Sequence, residues 1–240
     1  MTKRIHLISG PRNISTALMY SFGNRKDCTI VDEPMYGVYL SKHDVPHPGK
    51  EETLASMSQD MRTIKTDIIF TDYPTELLFL KNMAHHFIDV PHDFIYELDN
   101  LFLIRNPKQL IASFAQVISE PTMQDIGLEK EYELFHALQT TANKPPLVLD
   151  TGVLLENPEE ILRKLCDKLD IPFLDSMLHW TAGPRKEDGI WAKYWYANVH
   201  KSTGFSKQKT SERELPSHLE ELYLHAKGYY DKIYEHAIQL

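Results

Sequence analysis

Short apolar runs alternate with longer segments of helical periodicity along this 240-residue chain, and this alternation limits the folds that it can adopt. Each run is too short for a helix and mostly apolar throughout, which is typical of a strand buried on both faces. Strands that alternate with helices favour a parallel sheet. The pattern predicts a three-layer α/β fold with a mainly parallel, five-stranded sheet flanked by helices. Its predicted strands are Ile5–Ser9, Cys28–Asp32, Leu77–Lys81, Leu101–Ile104 and Leu147–Asp150.

Three helices have recognisable beginnings. The pairs Asn106-Pro107 and Asn157-Pro158 each combine an N-cap residue with proline at the first helical position. Ser217 with Glu220 predicts a capping box for a last helix that runs towards Leu240. The apolar face after the first pair consists of Leu110, Ile111, Phe114, Val117 and Ile118.

Two segments follow neither pattern. Residues 37–50 are loop-like in composition, and residues 181–216 lack a clear strand but hold several aromatic side chains. Long irregular segments in a compact domain are usually lids or binding loops, although simple packing on the sheet edge explains any single ring equally well. We expect one domain over residues 1–240, with 181–216 as a lid or substrate-binding segment. The aromatic residues are Trp191, Tyr194, Trp195 and Tyr196.

Charge and cysteine content restrict the partners and the compartment. With 26 Lys and Arg against 34 Asp and Glu, the net charge is −8, which disfavours a nucleic-acid or membrane-surface partner. Cys28 and Cys166 lie far apart, so neither a disulfide framework nor a zinc ribbon is expected. The apolar run before Gly10 is too short for a signal peptide, and no stretch approaches 18 apolar residues. These observations predict a reducing, cytoplasmic location.

Polar residues follow nearly every predicted strand. In an open parallel sheet, ligands bind beyond the carboxyl ends of the strands. Because these ends share one edge, we expect the residues that follow them to form one site. In strand order they are Ser9 to Thr16, Glu33-Pro34, Asn82 to His86, Arg105-Asn106 and Thr151.

The turn after the first strand is the best candidate for binding an anion. A helix that starts directly after a glycine-containing turn presents unpaired N–H groups and the positive end of its dipole. Arg12 adds a permanent charge, and Ser15 and Thr16 add hydroxyl groups. This turn lacks the Gly-Lys pair of a Walker A loop. A plain turn with a surface arginine is the alternative.

Several of these segments resemble the sulfotransferases that use 3′-phosphoadenosine 5′-phosphosulfate (PAPS). Residues 101–113 are similar to the family's 3′-phosphate motif, in which Arg105 and Ser113 occupy the binding positions. Gly10-Pro-Arg-Asn-Ile-Ser-Thr16 resembles its 5′-phosphosulfate loop. Asp32-Glu-Pro34 resembles the Glu-Pro of bacterial-type members, whose glutamate is the catalytic base. Residues 156–180 are similar to a helix and following segment found in many members.

The chain also departs from the family pattern. Ile14 stands where the loop usually has glycine. Members with a catalytic histidine often carry Lys-x-His after the third strand, whereas here Lys81 and His85 are spaced differently, so that the base is either Glu33 or His85. Arg185-Lys186 and Gly189-Ile-Trp191 resemble the family's C-terminal elements loosely.

Each residue also has a structural explanation that involves no ligand. Arg105 could form a surface ion pair, and Ser113 could be a small packing residue that bonds its own helix. Glu33 could serve only to shape the turn before Pro34. His85 and His86 are adjacent and cannot share one helix face, so a metal site built on both is not expected.

The resemblance implies a P-loop sulfotransferase-like fold and transfer of a sulfuryl group from PAPS to a hydroxyl or amine of a small-molecule acceptor. A sulfuryl group carries less negative charge than a phosphoryl group, so no metal is expected. A P-loop small-molecule kinase and a catalytically silent nucleotide-binding relative are the alternatives. The implied catalytic residues are Glu33, Arg12, Lys81 and His85. The implied cofactor-binding residues are Gly10, Pro11, Arg12, Asn13, Ser15, Thr16, Arg105, Ser113, Arg185 and Lys186.

Overall fold

The five predicted strands all form and pair in parallel in the computed structural model, which describes residues 2–45, 47–116, 118–142, 144–206 and 214–240. They are β1 (Lys3–Ser9), β2 (Cys28–Asp32), β3 (Leu77–Met83), β4 (Asp99–Ile104) and β5 (Leu147–Asp150). Their spatial order is β2-β3-β1-β4-β5, which places the first strand in the middle of the sheet. The predicted five-stranded α/β fold is therefore confirmed.

The register of the sheet brings the polar strand ends together. In the central strand, Leu7 lies between Lys81 of β3 and Leu101 of β4. At the edge, Asp32 of β2 lies beside Lys81. The segments that follow these four strands therefore emerge along one edge.

The helices cover both faces of the sheet. On one face, α1, α8 and α9 pack against strand residues such as Leu7 and Phe79. On the other, α5, α7 and α11 pack against residues such as Ile8 and Phe102. Successive strand side chains point to opposite faces, and both faces are apolar, which explains the continuous apolar runs. The helices are α1 (Ser15–Gly23), α2 (Tyr36–Lys42), α3 (Lys50–Ser56), α4 (Met61–Ile64), α5 (Pro107–Phe114), α6 (Met123–Ile126), α7 (Leu128–Thr141), α8 (Thr151–Glu156), α9 (Pro158–Lys168), α10 (Ala192–Trp195) and α11 (Glu220–Tyr234).

Two of the three predicted helix starts have the expected caps. The Asn106 side chain accepts a hydrogen bond from the Lys108 N–H at the start of α5, and Asn157 accepts one from the Glu160 N–H in α9. The predicted capping box of the last helix is wrong. Residues 217–219 instead form a 3₁₀ turn ahead of α11, and no side chain caps either element.

The structure differs from the sequence prediction in two further places. Residues 37–50 are not one loop, because α2 covers most of the first half and α3 begins at its end. The aromatic side chains of α2 are buried, and Gly37 allows close packing, since a Cβ there would lie 2.8 Å from Met57 Cγ. The last helix ends at Tyr234, after which Ala237 forms a parallel bridge with Val148.

The segment 181–216 is mostly irregular where the structure describes it. It contains the short helix α10 and a 3₁₀ turn over residues 199–201, and Gly204 forms an antiparallel bridge with His179. Residues 207–213 of this segment, and Val117 of the predicted apolar face, lie outside the described residues. Within the described ranges, no helix has the length and apolar character needed to cross a membrane.

Candidate functional site

The loop between β1 and α1 contains two residues in the left-handed region of backbone space. Arg12 has a φ of 64° and Ile14 a φ of 57°, values that side chains other than glycine rarely adopt. Ile14 directly precedes α1, and no side chain caps the helix. The first N–H groups of a helix have no partner within it, and left-handed residues in a turn direct N–H groups towards a common point. The loop therefore has the backbone of an anion-binding concavity.

The loop is supported from below by buried groups. Asn13 Nδ2 donates a hydrogen bond to the carbonyl of Leu103 (2.8 Å), and Thr151 Oγ1 donates one to the carbonyl of Asn13 (3.1 Å). Gly10 is required on steric grounds, because a Cβ there would lie 2.6 Å from the Ile126 carbonyl oxygen. The loop conformation is thus held by contacts with β4, α6 and α8.

The remaining predicted residues of the loop differ in exposure. Ser15 is buried at the start of α1, whereas Pro11 and Thr16 are partly exposed. Thr16 can therefore offer its hydroxyl group to a ligand more readily than Ser15.

Arg12, Arg105 and Ser113 meet at the carboxyl edge of the sheet. Arg105 Nη1 donates a hydrogen bond to the Arg12 carbonyl (2.7 Å), and Arg12 Nε donates one to Ser113 Oγ (3.4 Å). Arg105 and Ser113 are buried, whereas Arg12 is exposed. The eight-residue spacing spans the end of β4 and about two turns of α5, which places both side chains on the side that faces the loop. Two guanidinium groups and a hydroxyl group therefore surround one corner of the site.

A second cluster lies where β2 and β3 end. Lys81 Nζ donates hydrogen bonds to Asp32 Oδ1 (2.8 Å), Glu33 Oε1 (2.5 Å) and the Tyr196 hydroxyl oxygen (2.7 Å). The Tyr196 hydroxyl in turn donates to Asp32 (2.7 Å to Oδ2) and lies 3.4 Å from Glu33 Oε1. All four residues are buried. Lys81 lies inside β3, because that strand runs two residues beyond its predicted end.

Burial and the ion pairs set the charges of this cluster. Burial raises the pKa of Glu33, and the neighbouring Lys81 cation opposes that rise. Burial lowers the pKa of Lys81, but the carboxylates of Asp32 and Glu33 outweigh burial and raise it. Lys81 is therefore a permanent cation. Glu33 is a carboxylate with a raised pKa, which is the property expected of a general base.

His86 lies on the other side of Glu33. Its Nδ1 accepts a hydrogen bond from the Met83 N–H (3.3 Å), which assigns the ring proton to Nε2. Nε2 lies 3.6 Å from Glu33 Oε2. Burial, with a smaller contribution from the nearby His85 and Lys81, lowers the pKa of His86 well below its usual value, so that the ring is neutral. Glu33 therefore has Lys81 at one oxygen and a neutral imidazole N–H near the other.

His85 belongs to an aromatic wall rather than to the Glu33 cluster. Its ring lies 4.8 Å from the Tyr39 ring, and burial lowers its pKa to about 4. The wall continues through Tyr36, which stacks on His86 with 4.8 Å between ring centroids and meets Trp191 edge-on at 5.2 Å.

Arg185 and Lys186 lie away from the loop. Arg185 Nη2 donates a hydrogen bond to Asn24 Oδ1 (2.8 Å) at the carboxyl end of α1, and its guanidinium group lies over the Tyr20 ring. The nine residues of α1 put this position about 13 Å from the loop at the helix start. Lys186 is largely exposed and pairs with Glu187.

The sequence interpretation assigns no catalytic or binding role to three residues around Glu33, although His86 lies in a segment that it expects at the site. Asp32 ends a predicted strand beside Glu33, and its position was itself a signal. Tyr196 belongs to the aromatic segment, but nothing in the sequence distinguishes it from its neighbours Tyr194 and Trp195. His86 adjoins His85, and only the fold shows which ring faces Glu33. In the part of the chain that the structure describes, no group of three or more His, Cys, Asp or Glu side chains has an arrangement that could hold a metal ion.

The chain matches a family model described as a sulfotransferase domain over residues 3–236. It is 38% identical over 213 residues to two Arabidopsis thaliana proteins, branched-chain-amino-acid aminotransferase-like proteins 2 and 1. The match covers 88% of this chain, which spans only 38% of the length of those relatives.

Three solved structures share the fold at low sequence identity. The sulfotransferase domain from the curacin biosynthetic pathway has a TM-score of 0.54 at 14% identity, covering 100% of this chain and 99% of that one. The sulfotransferase domain of the Synechococcus PCC 7002 olefin synthase has a TM-score of 0.55 at 16% identity, covering 96% and 95%. A sulfotransferase from Alicyclobacillus acidocaldarius has a TM-score of 0.55 at 10% identity, covering 98% and 95%.

Proposed function

The chain belongs to the sulfotransferase-domain family, and from that premise we propose that it transfers a sulfuryl group from PAPS to a hydroxyl or amine group of a small-molecule acceptor. The observation that carries the proposal is the direct contact of Arg12 with both Arg105 and Ser113. These residues come from the two segments that resemble the 5′-phosphosulfate loop and the 3′-phosphate motif. Their contact allows one nucleotide to reach both.

The residues at this corner have the chemistry that such a nucleotide requires. Guanidinium groups, a hydroxyl group and the N–H groups of an uncapped helix start are all hydrogen-bond donors suited to phosphate or sulfate oxygens. In the proposal, Arg12, Thr16 and the loop from Gly10 to Ser15 hold the 5′-phosphosulfate. Arg105 and Ser113 hold the 3′-phosphate. Bound PAPS would supply the sulfuryl group for transfer.

Glu33 is the residue that we assign as general base. Its Oε1 already accepts a hydrogen bond from Lys81, so Oε2 is the oxygen that would take the proton of the acceptor. The raised pKa of Glu33 makes it a stronger base than an ordinary glutamate. His85, the alternative base, has a pKa lowered to about 4 and is the weaker candidate.

Lys81 and His86 would act on Glu33 rather than exchange protons with the acceptor. Lys81 is fully buried and held by three oxygen atoms, so its role in the proposal is to balance the charge of Glu33. The His86 Nε2–H lies near Oε2 and can orient the carboxylate. Because a sulfuryl group carries less charge than a phosphoryl group, these donors and cations suffice without a metal ion.

The acceptor would enter beside the aromatic wall of α2 and residues 84–87. In the proposal, Tyr36 and Tyr39, which contact His86 and His85, and Trp191 of the segment 181–216 would line the path of the acceptor to Glu33. We propose that this segment covers the acceptor within a single catalytic domain. Cys28 and Cys166 are both buried free thiols, which suits the reducing cytoplasm that we propose as the compartment. Arg185 and Lys186 remain candidate cofactor residues only if the segment moves, since the fold holds Arg185 at the far end of α1.

The nucleotide preference provides the first test. Adenosine 3′,5′-bisphosphate should raise the melting temperature more than AMP or Mg-ATP, because a ligand that binds only the folded state stabilises it. A preference for Mg-ATP would favour a kinase instead. Binding of the bisphosphate without sulfate transfer to any acceptor would indicate a silent relative.

Arg105→Ala provides the second test. The variant should lose affinity for adenosine 3′,5′-bisphosphate but not for AMP, since a hydrogen bond to a charged group contributes about 1.5–3 kcal/mol. Calorimetric titration of both nucleotides measures the difference. An unchanged preference for the 3′-phosphate in the variant would refute the role of Arg105.

A further inference from the structure

Glu131 is a buried carboxyl group beneath the loop that neither the proposed chemistry nor the family resemblance uses. It lies in the first turn of α7 and has no exposed surface. The helix start packs directly on the loop, because a Cβ on Gly127 would lie 3.7 Å from Gly10 Cα. A Cβ on Gly10 would lie 3.6 Å from Glu131 Oε2 and 3.4 Å from Asn13 Nδ2. Glu131 and Asn13 therefore flank the first residue of the loop.

Three acceptor oxygens at this point lack hydrogen-bond donors among the described residues. They are the two carboxyl oxygens of Glu131 and the side-chain oxygen of Asn13, all of which are buried. The Gly10 N–H favours the ionised form of the Glu131 carboxyl group, but it does not form a hydrogen bond with either carboxyl oxygen. Buried acceptors without hydrogen-bond donors are costly. An ionised Glu131 would have acceptor oxygens only, so the shortage of donors would persist. A proton on one oxygen of Glu131 would turn that oxygen into an O–H donor and so supply one of the missing donors.

We propose that Glu131 is a positioning residue that supports the anion-binding loop as a neutral carboxylic acid. The proposal rests on the proposed function only in taking the loop as the binding place of an anionic nucleotide. A neutral acid leaves the positive potential of the loop intact, whereas a carboxylate beneath Gly10 would repel the bound anion.

Burial is the physical cause of the neutral state. Burial raises the pKa of Glu131 well above its usual value, and the Gly10 N–H opposes this only in part. Titratable groups on the neighbouring elements do not set the shift. Among these groups are Arg12 on the loop, His85 and His86 on residues 84–87, Asp125 on α6 and Tyr229 on α11.

Three variants test the proposal. Glu131→Gln keeps the shape and a donor but cannot ionise, Glu131→Leu removes the donor, and Glu133→Gln is the matched control on the exposed side of the same helix. The probe is adenosine 3′,5′-bisphosphate, titrated calorimetrically at pH 7. We expect Glu131→Gln and Glu133→Gln to bind within about twofold of the parent. Glu131→Leu should lose about three- to tenfold, the effect of one net hydrogen bond.

A spectroscopic measurement reports the proton itself. The infrared difference between the parent and Glu131→Gln should contain the carbonyl band of a protonated carboxyl group at pH 7, and the difference for Glu133→Gln should not. The absence of that band would overturn the proposal, and so would parent-like binding by Glu131→Leu. Binding more than tenfold tighter in Glu131→Gln would also overturn it, because it would indicate a charged carboxylate in the parent.

The failure of the proposed function has a different signature. If the parent does not bind the bisphosphate, the nucleotide assignment fails, and the infrared band still decides whether Glu131 is protonated. If Glu131→Leu does not fold, the band and the affinity of Glu131→Gln decide the proposal.

Discussion

At the scale of single residues, the loop after β1 combines an expected charge with an unexpected backbone. Arg12 is the charged group that the sequence placed there, and it contacts Ser113. Ile14 occupies a left-handed conformation with a φ of 57° although it is β-branched. Such a residue is strained, by on the order of 1–3 kcal/mol, and persists only where the surroundings impose it. The glycine that the family usually has at this position would adopt the same backbone without strain.

The strain at Ile14 predicts an unusual order of stability. Ile14→Gly and Ile14→Ala both remove the side chain that packs on the core, but only glycine also relieves the backbone. We expect Ile14→Gly to be more stable than Ile14→Ala by about 1 kcal/mol, although glycine ordinarily destabilises. Urea denaturation of both variants measures the difference. If the alanine variant is the more stable of the two, the left-handed conformation is not a source of strain.

The charge at Arg12 predicts a loss of rate rather than of folding. Removing one donor that stabilises charge in the transition state typically costs about 10²–10³ in rate. We expect Arg12→Ala to lose sulfate transfer by this factor while its melting temperature stays near that of the parent, because the side chain is exposed. Arg163→Ala, which removes another exposed arginine from α9, is the matched control. Transfer at the parent's rate by Arg12→Ala would remove Arg12 from the mechanism.

At the scale of elements, three segments that are distant in sequence create the environment of Glu33. The β2 end contributes Asp32, β3 contributes Lys81, and the segment after α10 contributes Tyr196. Parallel pairing places Asp32 beside Lys81, and the Tyr196 hydroxyl of the irregular segment contacts both side chains. The pKa of Glu33, the proposed base, therefore depends in part on Tyr196 of the segment that we propose as the acceptor cover.

Tyr196→Phe tests that dependence through the pH profile. In the proposed mechanism Glu33 acts as a base only when ionised, so we expect transfer to be lost as the pH falls through its pKa, which burial raises. The Tyr196 hydroxyl lowers that pKa. Its removal should shift the acidic limb of kcat/KM to higher pH and leave the rate at alkaline pH close to the parent's. Tyr20→Phe, another buried tyrosine bonded to a carboxylate, should leave the limb unmoved. An unchanged limb in Tyr196→Phe would separate Tyr196 from the base.

At the scale of the whole molecule, the buried carboxylate of Asp188 is one of the groups that attach the segment 181–206 to the rest of the domain. Asp188 accepts hydrogen bonds from the Tyr20 hydroxyl (2.7 Å), the Arg185 N–H (2.8 Å) and His200 Nε2 (2.9 Å). Tyr20 belongs to α1, so that this contact connects the segment to the helix that begins at the loop. The two halves of the proposed site are thus linked through α1.

Asp188→Ala should loosen this attachment. The substitution leaves the buried Tyr20 hydroxyl without its acceptor, which costs about 1–3 kcal/mol of unfolding free energy. We expect a lower urea midpoint and faster proteolytic cleavage within residues 181–206. Asp167→Ala, at an exposed position of α9, should change neither. Equal protease resistance of Asp188→Ala and the parent would show that Asp188 is not needed to hold the segment.

Much of the fold could be predicted because its determinants are local. A run such as Leu101–Ile104 is recognisable from its own residues, and the cap of α5 from Asn106-Pro107. Helix geometry explains why Arg105 and Ser113, eight residues apart in sequence, lie on the same side of the structure. The capping box at Ser217 was wrong although it rested on local residues too, because a short motif does not decide between a 3₁₀ turn and an α-helix start.

The strands, the parallel sheet and the edge where polar residues collect follow from local sequence alone, since hydrophobic periodicity and turn chemistry act over a few neighbouring residues. Three other contacts arise only when the chain is folded: Tyr196 reaches Glu33 across 163 residues of chain, Glu131 lies beneath Gly10, and Arg185 packs on Tyr20. Such contacts depend on how whole elements pack. The burial that results, which no short segment encodes, sets the charge of each group.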